Sequence, residues 1–322
     1  MNRLRPPQVE LRQLYYFLTL SRHRSISAAA NALGIAQPSL SACISNMESR
    51  LDLQLVVRGS GGIRLTQAGD ALACYAAEVI ENTETALDRI REMGTEARGA
   101  VSLGMPPSLS SILGVPLIET VHNEHPSVHL TIVEALDGTT LEWIRSGQLD
   151  LGCVYEPPDP LEFVSKPLFK EDIFFATAPD NWTGEIGPDG FATQPIEASR
   201  LQELPVAMPR LAHGSRRMIE KAIRKHGIRL NVVTEIDSLL QMVEMVERAS
   251  CYSLVPQKAV LSQLAAGTVA LVPIVGPGIL QTTFLARKLS HPSTRAATLV
   301  EDRIVTVLRD VITRRKLDIE VL

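Results

Sequence analysis

The 322-residue sequence lacks the motifs of the common catalytic chemistries. It has no Gly-x-Ser-x-Gly turn for a serine nucleophile, no Walker phosphate loop and no His-Glu-x-x-His zinc pair. No carboxylate pair has an evident partner, so an enzyme is not expected, and no cofactor or metal is implied. The four cysteines, Cys43, Cys74, Cys153 and Cys251, show no metal or dithiol spacing. They read as plain thiols in a reducing compartment, and nothing around Cys153 or Cys251 asks for a redox role. The seven histidines are scattered; His125 and His129 flank a helix–strand turn without a third ligand beside them. No apolar run reaches membrane length and the first seven residues are polar, so neither a membrane span nor a secretory signal is expected. A cytoplasmic location follows, which argues against an exported solute-binding protein.

Lysine is missing from residues 1–66, yet that segment is basic. It holds eight arginines against Glu10, Glu48 and Asp52, a net +5; the whole chain is −4, leaving −9 for the remainder. A basic head on an acidic body suits a nucleic-acid-binding module joined to one that should not bind nucleic acid. The apolar share of 45% and charged share of 21% are those of an ordinary folded protein. The length allows two or three domains.

The most informative stretch is 21–65. Ser27 is placed to cap a short helix over 28–33 that Gly34 stops by a left-handed cap. Gln37-Pro38 then opens a second helix, with Pro38 at its first position. Leu40, Ile44, Met47 and Leu51 recur at helical spacing and face a core. The other face carries Gln37, Ser39, Ser41, Ala42, Ser45 and Asn46, small or polar residues able to enter a major groove and pair with base edges. Helix, short turn, helix is the helix-turn-helix layout. Beyond it, 55–65 alternates and turns at Gly59-Ser60-Gly61-Gly62, a two-stranded wing from which Arg58 and Arg64 could reach phosphates. A helix over 11–21 packs beneath through Leu14, Phe17 and Leu18. Residues 1–9 form a loose arm, with Arg3 and Arg5 near any bound DNA.

The run AAANALGIAQPSLSACISNMESRLDLQLVVRGSGGIRLTQAGDAL resembles the N-terminal signature of LysR-type transcriptional regulators. The shared features are the alanine run, the Gln-Pro-Ser opening, the glutamate late in the recognition helix and Leu-Thr-x-Ala-Gly after the wing. Three positions depart from the family pattern. Ala42 stands where arginine is common, Met47-Glu48 replaces Leu-Glu, and Val57 stands where phenylalanine is usual. The first removes a cation that could face DNA. The expected DNA-facing set is Ser27, Gln37, Pro38, Ser39, Ser41, Ser45, Arg58 and Arg64.

From Thr66, which can cap it, a helix is expected to about residue 93. Leu72, Ala76, Val79, Thr83, Ala86, Ile90 and Met93 alternate at spacings of four and three, a coiled-coil seam. The resemblance implies the same: linker helices that pair two heads on a roughly palindromic operator. After residue 99 the grammar is βαβαβ, with strands over 101–103, 128–133 and 149–154 and helices over 108–122 and 139–146. A strand over 173–178 leads into a second copy: strands over 205–208, 231–235 and 252–255, helices over 215–226 and 238–249. A strand over 282–287 returns to the first half, and a helix over 294–315 closes the chain. Two α/β lobes joined by two crossing strands describe a hinged binding fold similar to periplasmic solute-binding proteins. The expected fold class is α/β with an all-α winged helix-turn-helix N-terminal domain. The domains are 1–66 for the head, 67–97 for the linker helix and 98–322 for the effector domain. Lobe I takes about 98–178 and 283–322, lobe II about 179–282.

Such a fold binds ligands where strands end and helices begin, because free N–H groups gather there. Four such edges supply candidates: Ser108, Leu109 and Ser110; Thr139; His213, Gly214 and Ser215; and Ser238. Tyr155 and Glu156 end a strand facing the same crevice. A small organic, anionic effector is expected, with Arg216 or Arg217 clamping its carboxylate. The segment Ala249-Ser250-Cys251-Tyr252 replaces the glycines usual before the last lobe strand, which narrows the cleft. Met105-Pro106-Pro107-Ser108 and Thr140-Leu141-Glu142-Trp143-Ile144 look closest to the nitrogen-assimilation and aromatic-catabolism branch. The resemblance thus implies an autoregulating activator that assembles as a dimer to tetramer, with RNA polymerase a further candidate partner. The competing reading is a cytoplasmic α/β small-molecule-binding protein or enzyme without regulatory DNA binding.

Overall fold

A computed structural model describes residues 9–23, 25–59, 62–91, 97–291 and 293–322. The chain divides into two compact units, Met1–Arg91 and Glu92–Leu322. Arg3 and Arg5 lie outside the described residues.

The first unit opens with α1 (Leu11–Ser21), α2 (Ile26–Leu33) and α3 (Gln37–Leu51). Ser25, not Ser27, caps α2: its hydroxyl accepts from Ala28 N–H at 3.1 Å, and burial of Ile26 draws the helix start two residues upstream. Ser27 donates instead to Gln37 Oε1 at 3.0 Å. Gly34 takes φ 68°, the left-handed stop expected of it. Pro38 is the second helical residue rather than the first, because Ala36 is the N-cap. Leu40, Ile44 and Met47 meet Phe17, Leu20, Ile26, Ala29 and Ala30 in one core, with Leu14 and Leu51 packed against it. Leu18 is only half-buried, and Leu20 takes the inward place assigned to it.

The wing is β1 (Val56–Gly59) paired antiparallel with β2 (Gly62–Leu65). It is tied to α3 by Glu48, whose Oε1 accepts from Leu55 N–H at 2.8 Å and Val56 N–H at 3.1 Å. Thr66 donates to Gln54 O at 2.6 Å and accepts from Gly69 N–H at 3.0 Å, capping α4 (Gln67–Arg91) as expected. A Cβ on Gly69 would lie 2.2 Å from Leu55 O, so only glycine lets α4 start against the wing. Leu72 packs against the head's own core and Ala76 is buried, whereas Val79 (45% exposed) and Leu87 (48%) stay open. The expected seam therefore begins later, since α1 packs on the first half of α4. Met93 and the Ile90 side chain lie outside the described residues.

The second unit begins with β3 (Gly99–Met105), α5 (Pro107–Glu124), β4 (Val128–Glu134), α6 (Asp137–Ser146) and β5 (Leu151–Val154). Next come β6 (Phe163–Thr177), β7 (Ile196–Glu197), β8 (Pro205–Met208), α7 (Gly214–Arg224), β9 (Asn231–Glu235), α8 (Leu239–Glu247) and β10 (Ser253–Pro256). Then follow α9 (Leu261–Ala266), β11 (Ala270–Val272), β12 (Ile274–Val275), β13 (Leu280–Lys288), α10 (Arg295–Arg315) and β14 (Ile319–Val321). The main sheet runs β10-β6-β13-β5-β3-β4, with β11 and β14 also on β6. β3 is parallel to β4 and β5, as a βαβαβ unit requires, and β8 is parallel to β9.

The two crossing strands are β6 and β13, antiparallel along their length. β6 is fifteen residues long, not the six expected, because Pro167 hides its upstream half in the sequence. Pro167 lies opposite Phe284, at the register shift, where a residue without an N–H is tolerated. Leu168 and Phe169 pack in the lobe I core with α5 and α10, while Ile173 and Phe175 pack in lobe II with α7. The crossover on β6 thus falls between Phe169 and Ile173, upstream of the expected boundary at 178.

Candidate functional site

On the head, α3 presents Gln37, Pro38, Ser39, Ala42, Ser45 and Asn46 to solvent, while Ser41 is half-buried and engaged in a contact of its own. Gln37 Oε1 accepts from Ser27, and the rest of the Gln37 side chain is exposed. Arg64 is exposed on β2, and the Arg58 backbone pairs with Ile63. Nothing is described of the Arg58 side chain.

In the second unit a cleft of about 50 Å³ opens between the lobes. Its walls are mostly apolar, from Pro106, Pro209, Leu239, Met242 and Leu254, and its polar groups are Ser108, Tyr155, His213, Ser215 and Asp237. Ser108 opens α5 in lobe I, and His213 caps α7 in lobe II. Two helix N-termini therefore meet across the cleft. Ser108 Oγ and Tyr155 Oη share a 2.8 Å hydrogen bond. The Tyr155 ring stacks on His213, centroids 6.1 Å apart and planes 19° from parallel. His213 Nδ1 accepts from Ser215 N–H at 3.2 Å, which assigns the ring proton to Nε2. Burial brings His213 down to about 4, so the neutral ring offers one donor, Nε2–H, at ordinary pH.

Of the ten residues expected around an effector, four line this cleft: Ser108, Tyr155, His213 and Ser215. Glu156 and Gly214 belong to its rim, where the lobes touch. Leu109 is fully buried in the lobe I core. Ser110 is turned along α5 toward Gly114. At the start of α6 the inward threonine is Thr140, seated over Gly104 and Gly152, so Thr139 misses the cleft. Ser238 caps α8, accepting from Gln241 N–H at 3.4 Å, and is exposed. The expected arginine clamp is not available. Arg216 is buried on Glu220 (2.8 Å), Glu235 (2.7 Å) and Pro209 O (2.8 Å). Arg217 pairs with Glu156 at 2.7 Å, and Arg210 donates to Asp237 at 2.6 Å. Arg216 finds an acid one turn away on its own helix, but the partners of Arg217 and Arg210 lie 61 and 27 residues away, and sequence order does not show those pairings.

Two features escaped sequence reasoning. Lys258 is fully buried in an ion pair with Glu171, which also accepts from Gln281 Nε2 at 3.3 Å; Ser215 Oγ donates to Gln281 Oε1 at 3.0 Å. Lys258 Nζ lies 5.6 Å from the Tyr155 ring centroid. Burial pushes Glu171 up and Lys258 down, each opposed by the other's charge. Glu171 sits in a run, Lys170-Glu171-Asp172, that reads as solvated; only its register opposite Gln281 reveals otherwise. The other is the burial of Asp137, which opens the α6 edge of the cleft and is only 1% exposed. None of the four cysteines lines the cleft: burial and the nearby Asp137 push the Cys153 thiol up to about 12, and burial raises Cys251. Among the described residues no cluster of histidine, cysteine and carboxylate has metal-holding geometry, and no helix is long and apolar enough to cross a membrane.

Residues 11–70 match the family described as bacterial regulatory helix-turn-helix protein, lysR family. Residues 94–308 match the LysR substrate binding domain. The nitrogen assimilation regulatory protein nac of Klebsiella aerogenes is 28% identical over 273 residues, 84% of this chain and 86% of that protein. BbuR of Bordetella bronchiseptica is 25% identical, spanning 92% of this chain and 90% of its own length. Among solved structures, a cysteine mutant of Corynebacterium glutamicum OxyR covers 98% of this chain and 96% of its own at a TM-score of 0.60 and 22% identity. CbnR in complex with its target DNA matches at a TM-score of 0.60 and 18% identity, covering 94% of this chain and 100% of its own. Those likenesses are ones of fold. With a winged helix-turn-helix followed by a two-lobed substrate-binding domain, the chain belongs to the LysR family of transcriptional regulators.

Proposed function

We propose that this regulator reads DNA through Gln37, Ser39 and Ser45 of α3, with Arg64 on phosphate, and takes a small organic anion between its lobes. The observation that carries the second part is the meeting of the α5 and α7 N-termini across one cleft, with Ser108–Tyr155 and His213 Nε2–H as donors. With Arg210, Arg216 and Arg217 all paired, an anion here is held by neutral donors and helix ends rather than by a guanidinium. Drug-sized ligands occupy roughly 300–1,000 Å³. The 50 Å³ cleft suits a small effector, or lobes that part to admit a larger one.

The division of labour is a head over 1–66, a linker helix over 67–97 and an effector domain over 98–322. The open Val79 and Leu87 on α4 support pairing of two heads on a roughly palindromic operator, and a dimer of dimers extends this to four. Relatives named as a nitrogen assimilation regulatory protein and as a hydrogen peroxide-inducible genes activator favour an activator. Cys153 and Cys251 are buried with their thiols held protonated, which supports ligand binding rather than thiol chemistry as the signal. The protein acts in the cytoplasm without catalysing a reaction.

A thermal-shift screen of the full chain against carboxylic acids, amino acids and small nitrogen or sulfur metabolites tests the cleft. A ligand at about 100 times its dissociation constant adds roughly 2.7 kcal/mol. The expected hit disappears in Ser108→Ala and His213→Ala, each judged against the melting temperature of the same variant without ligand. A hit that survives both substitutions places the effector elsewhere.

A further inference from the structure

Three contacts join the lobes on one side of the cleft, and all run from the end of β5 and the start of α6 to the first turn of α7. Tyr155 stacks on His213, Glu156 pairs with Arg217 at 2.7 Å, and Asp137 presses on the Gly214 backbone. A Cβ on Gly214 would lie 2.0 Å from Asp137 Oδ2 and 2.6 Å from its Cγ, so this approach requires glycine. The Asp137 carboxyl is buried; Oδ2 accepts from Tyr155 N–H at 2.7 Å, and Oδ1 has no hydrogen-bond partner among the described residues. The groups facing it are Arg217 and the backbone of α7, Glu156, and Cys153 and Tyr155 at the end of β5. Arg217 is already held by Glu156 and by Ala212 O at 2.6 Å.

We propose that these contacts form a clasp holding the lobes closed, and that Asp137 is its proton-operated latch, a positioning residue that makes the proton a second input to the regulator. The idea does not depend on which molecule the cleft binds. Burial outweighs the Arg217 attraction and raises Asp137 from 3.8 to about 6 in the closed form. Parting the lobes hydrates the carboxyl and returns it toward its ordinary value. The closed form therefore binds the proton more tightly, and closure is favoured as pH falls through about 6 and weakened above it. Those two values imply a closing constant that rises on the order of 10-fold between about pH 8 and about pH 5. His213, down at about 4, stays neutral across that window.

The test is a distance measurement on the full chain, with spin labels on unnatural amino acids at Glu142 of α6 and Lys225 at the C-terminal end of α7, both exposed. Double electron–electron resonance should show the ratio of short to long distances rising about 10-fold from pH 8 to pH 5. Asp137→Asn keeps the shape without the titration and should be insensitive to pH. Gly214→Ala wedges the contact and should give the long distance at both pH values. A wild-type distribution that does not change with pH, an Asp137→Asn variant that keeps the wild-type response, or a Gly214→Ala variant that stays closed each overturns the proposal. If Asp137→Asn fails to fold, the other two measurements still decide.

Discussion

On α3, Gln37, Ser39, Ser45 and Asn46 face away from the core and are exposed, and Gln37 Oε1 is held by Ser27. In the cleft most polar groups have a protein partner: Ser108 has Tyr155, His213 Nδ1 has Ser215 N–H, Ser215 has Gln281, and Asp237 has Arg210, with His213 Nε2–H left as the donor for a ligand. The difference follows from what each surface meets. A recognition helix exchanges water for base edges, so its donors must be free and its scaffold rigid. A cleft that closes on itself would strand unpaired donors in low dielectric, so it pairs them until a ligand substitutes.

That contrast can be broken in four places. Lys258→Met leaves Glu171 buried and uncompensated and should cost about 3–5 kcal/mol. Adding Glu171→Leu should return most of it, as followed by circular dichroism in urea. An exposed pair would give neither result.

His213 probes the cleft through pH. Its pKa is depressed in the folded state, so the unfolded chain binds the extra proton, and the neutral ring contributes stability that is complete above about 6.5 and lost on falling to about 4. The loss approaches about 3 kcal/mol at most. His213→Gln should flatten that limb of the stability profile, and Asp137 contributes with the opposite sign between 3.8 and about 6. On the head, Gln37→Ala or Ser39→Ala should leave stability unchanged and cost about 1–3 kcal/mol of operator discrimination for each base edge left unread. Footprints on matched and mutated operators measure it. The smallest change is expected from Arg64→Ala, which should weaken binding to all DNA alike and lower the slope of log K against log salt by about 0.9.

The same contrast explains what could be read without coordinates. Periodicity placed Leu40, Ile44 and Met47, because a helix with one wet face must repeat its apolar residues. Exposed Gln37 and Ser39 were legible for the same reason. Ser25 and Ser27 are equal as caps on paper; burial of Ile26 decides between them. In the cleft, the pairings that matter join residues 47 apart (Ser108 to Tyr155) or 87 apart (Lys258 to Glu171), and no local pattern encodes them. Arg216 and Arg217 look like twin anion clamps in the sequence. One rotates inward to Glu235 and the other across to Glu156, a choice set by their separation of about 100° around the helix.

Glu48 carries a last consequence. One carboxylate oxygen, borne by the recognition helix, holds two amides at the root of the wing. The helix proposed to read bases and the wing proposed to touch phosphate thus move as a single body, and their contributions to operator affinity will not sum. A double-mutant cycle between Ser39 and Arg64 should show a coupling energy in the wild-type background that vanishes in Glu48→Ala.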